Sequence, residues 1–154
     1  MLKLYLSDVF KMAMLLFIAF ILVACSRESI DIAEFQSTMT AANFEVIDAT
    51  YQLDRSDVDL VLLAMAENYQ IQLTEFSTTS AAERSFHYFM TYAEDVHKSG
   101  NYTQRSSDGS NFSSFSLTAS GIYVNLLRIE NIVLFTEAPS EYRDEIREAI
   151  GVFD

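Results

Sequence analysis

The sequence predicts an α+β domain: an antiparallel sheet of five to six strands with about three helices packed on one face, in the order α-β-β-β-α-β-β-β-α. Three observations predict it. Several short stretches alternate apolar and polar residues, the period of a strand with one buried face. Short polar breaks separate those stretches, and breaks of that kind suit hairpins better than crossover connections. Around them lie segments with helical spacing that open on capping residues.

The first 24 residues stand outside this domain. Lys3 and Lys11 flank the opening, and from Met12 to Ala24 all 13 residues are apolar, with Asp8 a blemish in the basic start. A helix needs about 20 apolar residues to cross the hydrocarbon core of a bilayer, so this run is too short. A basic start, a short apolar stretch and a small residue at its end describe an export signal. The expected division is therefore a signal peptide over 1–24, a tether over 25–30 and a single α+β domain over 31–154.

The first helix is expected to start at Asp31, with Glu34 as its capping-box partner and Ile32, Phe35 and Met39 on one face. It runs out near Asn43. Phe44 to Asp48 then alternates like a strand. Asp54 to Asp59 reads as a turn. Val58 to Ala66 is either a strand or a helix capped by Ser56, since Leu, Ala and Met favour helices. Tyr69 to Phe76 alternates cleanly and makes a hairpin with it across Glu67-Asn68.

Ser80-Ala81-Ala82-Glu83 is a capping box that opens the clearest helix. Ala82, Phe86, Phe89, Ala93 and Val96 follow at helical spacing, and Ser99-Gly100 stops the helix. Asn101 to Asn111 is polar and expected to be a loop. Strands are expected over Phe112 to Thr118, Ile122 to Ile129 and Ile132 to Phe135, turning at Ser120-Gly121 and Glu130-Asn131. Pro139-Ser140 opens a last helix with Tyr142, Ile146, Ile150 and Phe153 along one side, and Asp144 is placed to pair with Arg147. Thr74-Glu75 and Thr136-Glu137 each end a strand before a capped helix, an echo that would fit an internal duplication.

Leu22-Val23-Ala24-Cys25 closes the apolar run. It resembles the lipobox of bacterial lipoprotein signals, in which the chain is cut between the residues that stand here as Ala24 and Cys25. The resemblance implies acylation of the Cys25 thiol and a chain held to the cell membrane on its extracytoplasmic side. One acyl chain anchors marginally and two anchor stably, at about 0.8 kcal/mol per buried methylene. Cys25 is the only cysteine, so no disulfide competes for it.

Beyond residue 24 the chain carries 8 basic and 21 acidic side chains, a formal charge of −13. Such a surface repels phosphate backbones and excludes nucleic acid as the expected partner. The same charge makes adhesion to anionic lipid a poor substitute for an acyl anchor.

The mature region also resembles a group of small lipoproteins of Gram-positive bacteria. The resemblance lies in Phe35…Met39 before Phe44-Glu45-Val46, in Tyr69-Gln70-Ile71 and in Ala82…Phe86…Phe89. It continues through Tyr123-Val124…Arg128-Ile129-Glu130-Asn131 and Tyr142-Arg143-Asp144-Glu145-Ile146. Many of those proteins end near a Gly-Tyr, where this chain has Gly151-Val152-Phe153-Asp154. The resemblance implies fold and location and transfers no site residue.

No catalytic, metal or cofactor set is expected. His87 and His97 are ten residues apart and do not share a helix face. Asp54-Arg55-Ser56-Asp57-Val58-Asp59 opens like a calcium loop, yet Asp59 stands where the glycine belongs and Met65 where the closing glutamate belongs. Ser106, Ser107, Ser110, Ser113 and Ser114 form a serine-rich stretch without a neighbouring base. Tyr88 and Tyr92, one helical turn apart, are the candidate ligand surface.

The function expected is a non-enzymatic accessory module of the cell envelope that binds another envelope protein or a small ligand. A structural or stress-related envelope protein without a ligand is the alternative. A small serine hydrolase is a more distant one.

Overall fold

The computed structural model describes residues 26–53 and 55–153. The signal segment, Ala24 and Cys25 lie outside the described residues, as does Asp54.

The chain enters along the body rather than away from it. Arg27 donates its backbone N–H to Asn111 Oδ1 at 3.0 Å and accepts from Asn111 Nδ2 at 2.8 Å. Its guanidinium lies 3.9 Å from the centre of the Phe112 ring, and Ile30 is buried in the core. The expected tether is thus strapped onto the far turn of the domain.

Helix α1 spans Ile32–Ala41, with Asp31 Oδ1 accepting from the Glu34 N–H at 2.9 Å as its N-cap. Asn43 takes a left-handed φ of 64° and turns the chain into β1 (Glu45–Asp48). A 3-10 turn over Thr50–Gln52 leads to β2 (Val58–Met65) and β3 (Gln70–Phe76). The ambiguous segment is a strand. Leu62 and Ala64 on it face Leu73 and Ile71, a paired apolar surface that a helix could not give.

Helix α2 spans Thr79–His97 and is capped by Thr78, two residues ahead of the expected Ser80. After it come β4 (Tyr102–Asp108), β5 (Phe112–Ala119), β6 (Ile122–Ile129) and β7 (Ile132–Pro139). Ser120 and Gly121 both take positive φ, the two-residue turn whose twist matches the strands it joins. A 3-10 turn over Ser140–Tyr142 leads to α3 (Arg143–Gly151).

All the strands form one 7-stranded antiparallel sheet in the order β1-β2-β3-β7-β6-β5-β4. Three expectations are corrected here. The sheet has seven strands rather than five to six, because residues 102–108 pair along their whole length with β5 instead of forming a loop. The order is therefore α-β-β-β-α-β-β-β-β-α. And the helices do not gather on one face. Phe86, Ala82 and Ala93 of α2 pack with Phe115, Leu117, Val124, Leu126 and Val133 on one side. Phe35 and Met39 of α1, with Ile146 and Ile150 of α3, pack with Leu62, Leu73, Leu127 and Leu134 on the other.

The reason is that side chains along a strand point alternately to opposite faces. Strands β6 and β7 carry apolar residues along both faces, and each face needs its own cover. Burying one large apolar side chain is worth about 1.5–3 kcal/mol, so neither set is left wet. The same geometry removes the suggested duplication. A rotation relating β3 to its antiparallel neighbour β7 would keep the following helices on one face, yet α2 and α3 lie on opposite faces.

Candidate functional site

The face of the sheet that carries α1 and α3 is uniform at one end and changes character at the other. One row across it runs Leu62, Leu73, Leu134, Leu127, Ser114, Ser107, each paired with the next through the strand register. The leucines are buried; Ser114 is half-buried and Ser107 exposed. A second row reads Asn125, Ser116, Arg105, and a third Tyr123, Thr118, Thr103. Across β4 and β5, with Asn125 of β6, the floor is therefore hydroxyls, an amide and a guanidinium.

Helix α3 stands beside this floor and does not cover it. Ile146 and Ile150 reach the apolar rows, while Arg143, Asp144, Arg147 and Glu148 line a groove of about 980 Å3 between the helix and β4–β5–β6. Tyr142 at the head of α3 accepts from Asn68 Nδ2 at 2.9 Å and packs 5.2 Å from the Tyr69 ring, which holds the helix to the β2–β3 turn.

The electrostatics of the groove oppose those of the chain. Arg105, Arg143 and Arg147 are three of the eight basic residues beyond residue 24. Arg143 Nε donates to Asp144 Oδ1 at 3.0 Å, where a pair between Asp144 and Arg147 had been expected. The hydrogen bond from Arg143 holds the Asp144 carboxyl below its ordinary value, and the charge of Arg147 adds a smaller push in the same direction. Among the described residues neither Arg105 nor Arg147 forms a salt bridge. Asn125 donates from Nδ2 to the Tyr123 hydroxyl at 2.8 Å, so its carbonyl oxygen remains for other partners.

The residues singled out in the sequence fall elsewhere. Tyr88 and Tyr92 are exposed on the outer side of α2, across the sheet from the groove. Tyr92 meets the His97 ring edge-on at 6.4 Å. His97 lies 3.1 Å from Glu137 of β7, and His87 is exposed, so both histidines are on the α2 face. Ser107 and Ser114 open into the groove on the opposite face, and among the described residues no serine is paired with a histidine. Ser113 points the other way and accepts from Arg128 Nη2 at 3.1 Å. In the calcium-like segment Asp57 is engaged by Arg55 at 2.9 Å, and among the described residues no three metal-ligating side chains gather. Among them, too, no helix is long and apolar enough to cross a membrane.

The groove escapes sequence reading because one of the three strands of its floor, β4, reads as a loop. A signal existed in β5. Ser114, Ser116 and Thr118 alternate with Phe115 and Leu117, which already describes a strand with one hydroxyl face.

No family model matches this chain, and no curated protein does so by sequence. A solved structure, a GTP-binding regulator from Thermotoga maritima, aligns with 83% of this chain and 90% of its own at 12% identity and a TM-score of 0.47. At that identity and score the likeness assigns neither a fold family nor a function.

Proposed function

We propose that this chain is an extracytoplasmic lipoprotein, anchored to the cell membrane through lipid on Cys25, whose domain is a non-enzymatic binding module of the cell envelope. The anchor reading is supported by the basic start, the 13-residue apolar run and the Leu22-Val23-Ala24-Cys25 context. The observation that carries the binding reading is the groove beside α3. Its volume lies at the upper end of small-ligand sites, and convergent polar groups line it where the rest of that face is packed with leucine. The groove thereby replaces the Tyr88–Tyr92 flank as the site on which the reading rests.

Two measurements test it. Palmitate labelling of the full chain in a bacterial host should mark the wild type, and Cys25→Ser should abolish the label and leave unprocessed precursor. Normal processing and labelling of that variant would defeat the anchor. Purified full-length protein in detergent should show a saturating rise in Tm with one soluble fraction of envelope material, lost when Ser116→Trp fills the middle of the groove floor. A rise that survives Ser116→Trp would defeat the groove as the site.

A further inference from the structure

We propose that the groove takes an oxyanion, a carboxylate or a phosphate, carried on a polyhydroxylated body such as a sugar or polyol. This inference rests on the groove being the ligand site and names the class of ligand.

The charge comes first. The chain beyond residue 24 is strongly acidic, yet three guanidinium groups meet on one groove against two carboxylates, Asp144 and Glu148. Of these only Arg143 and Asp144 are matched to each other. Arg105 and Arg147 reach the groove from opposite walls, one from β4 and one from α3. Guanidinium groups present paired donors that suit carboxylate and phosphate oxygens, and such charge-assisted bonds are about twice as strong as neutral ones. A charge on an edge strand also guards against strand-to-strand aggregation. That role explains an arginine at position 105 and does not explain Arg147 on the opposite wall.

The floor supplies the second half. Ser116 and Thr118 on β5 are half-buried, so their hydroxyls are offered inward from a sheet face rather than lost to bulk water. Hydroxyls donate and accept, the Asn125 carbonyl accepts, and the free carboxylate of Glu148 accepts. A bare inorganic anion would use only the donors. A body rich in hydroxyls uses both kinds and fills a volume too large for a lone anion.

The experiment titrates full-length protein in detergent by calorimetry with galacturonate, galactose 6-phosphate, galactose and polygalacturonate. Both charged monosaccharides are expected to bind, galactose to bind at least about tenfold more weakly, and Arg105→Gln with Arg147→Gln together to cost at least about tenfold in Kd. Ser116→Trp should abolish binding. Stronger binding of polygalacturonate per uronate unit would point to an anionic polymer as the source, and equal binding to a free metabolite; either supports the class. Binding of galactose equal to that of the charged sugars, lost in Ser116→Trp, would overturn the oxyanion and leave the groove standing. Failure of all four, with the envelope-fraction Tm rise still abolished by Ser116→Trp, would overturn the class alone. Failure of all four together with loss of that rise in the wild type would overturn both readings.

Discussion

Leu134 and Ser114 sit in the same row of the same sheet face, separated by Leu127, and they live in different environments. Leu134 is fully buried beneath the α1–α3 layer, whereas Ser114 looks into an open groove. The backbone treats them alike: both belong to uninterrupted antiparallel pairing. The difference lies only in what the neighbouring helix covers. Packed core and open surface are therefore divided along one face: the leucine end holds the fold, and the hydroxyl end is where the proposed ligand would sit.

Deleting the leucine end should cost most. Leu134→Ala removes buried methyl groups and leaves a cavity, at about 2–5 kcal/mol, whereas Ser114→Ala should stay within about 0.5 kcal/mol. Urea unfolding would report both as changes in midpoint at constant slope. A Ser114→Ala loss as large as that of Leu134→Ala would make the groove serine a structural element and break the division.

A sharper contrast uses adjacent serines. Ser113 points to the α2 face, is buried, and accepts from Arg128, which is itself 5% exposed and also donates to the carbonyls of Asn111 and Glu130. Ser113→Ala removes one partner of a buried cation and should cost about 1–3 kcal/mol, many times the effect at Ser114. Equal effects at the two positions would mean that strand position, and not face, governs this region. The strap at the same end comes next: Asn111→Ala removes both bonds to the Arg27 backbone. About 1 kcal/mol is expected, with faster amide exchange at Arg27 and no change in the apolar row.

Legibility followed the same division. Phe35 and Met39, Leu73, Phe86 and Ile146 were expected on buried faces and are buried, because apolar periodicity records burial directly. Residues 102–108 have no such record. Tyr-Thr-Gln-Arg-Ser-Ser-Asp carries no apolar face, and what makes it a strand is pairing with β5, a long-range fact absent from local pattern. The two-sided helix cover was missed for a related reason. It requires knowing which strands are central, and that depends on β3 pairing with β7, strands separated by α2 and three others. Since β4 and the placement of α3 complete the groove around β5 and β6, it is hidden along with them.

The smallest expected effect reports on the groove itself. Asp144 titrates below its ordinary value, chiefly through Arg143 and less through Arg147. A carboxyl depressed in the folded state contributes stability that is present above its unfolded pKa and lost as pH falls through the depressed one. Because Asp144 is exposed, screening keeps that contribution small, and the pKa is a better readout than Tm. In an NMR pH titration Arg143→Gln should raise the Asp144 pKa more than Arg147→Gln does. Galacturonate should act like the weaker substitution in the wild type, because an oxyanion held by Arg147 offsets the charge that Asp144 otherwise feels. A bound sugar acid that leaves the Asp144 titration unmoved would place its carboxylate away from Arg147, and the helix wall of the groove would then belong to the leucine end in function as well as in packing.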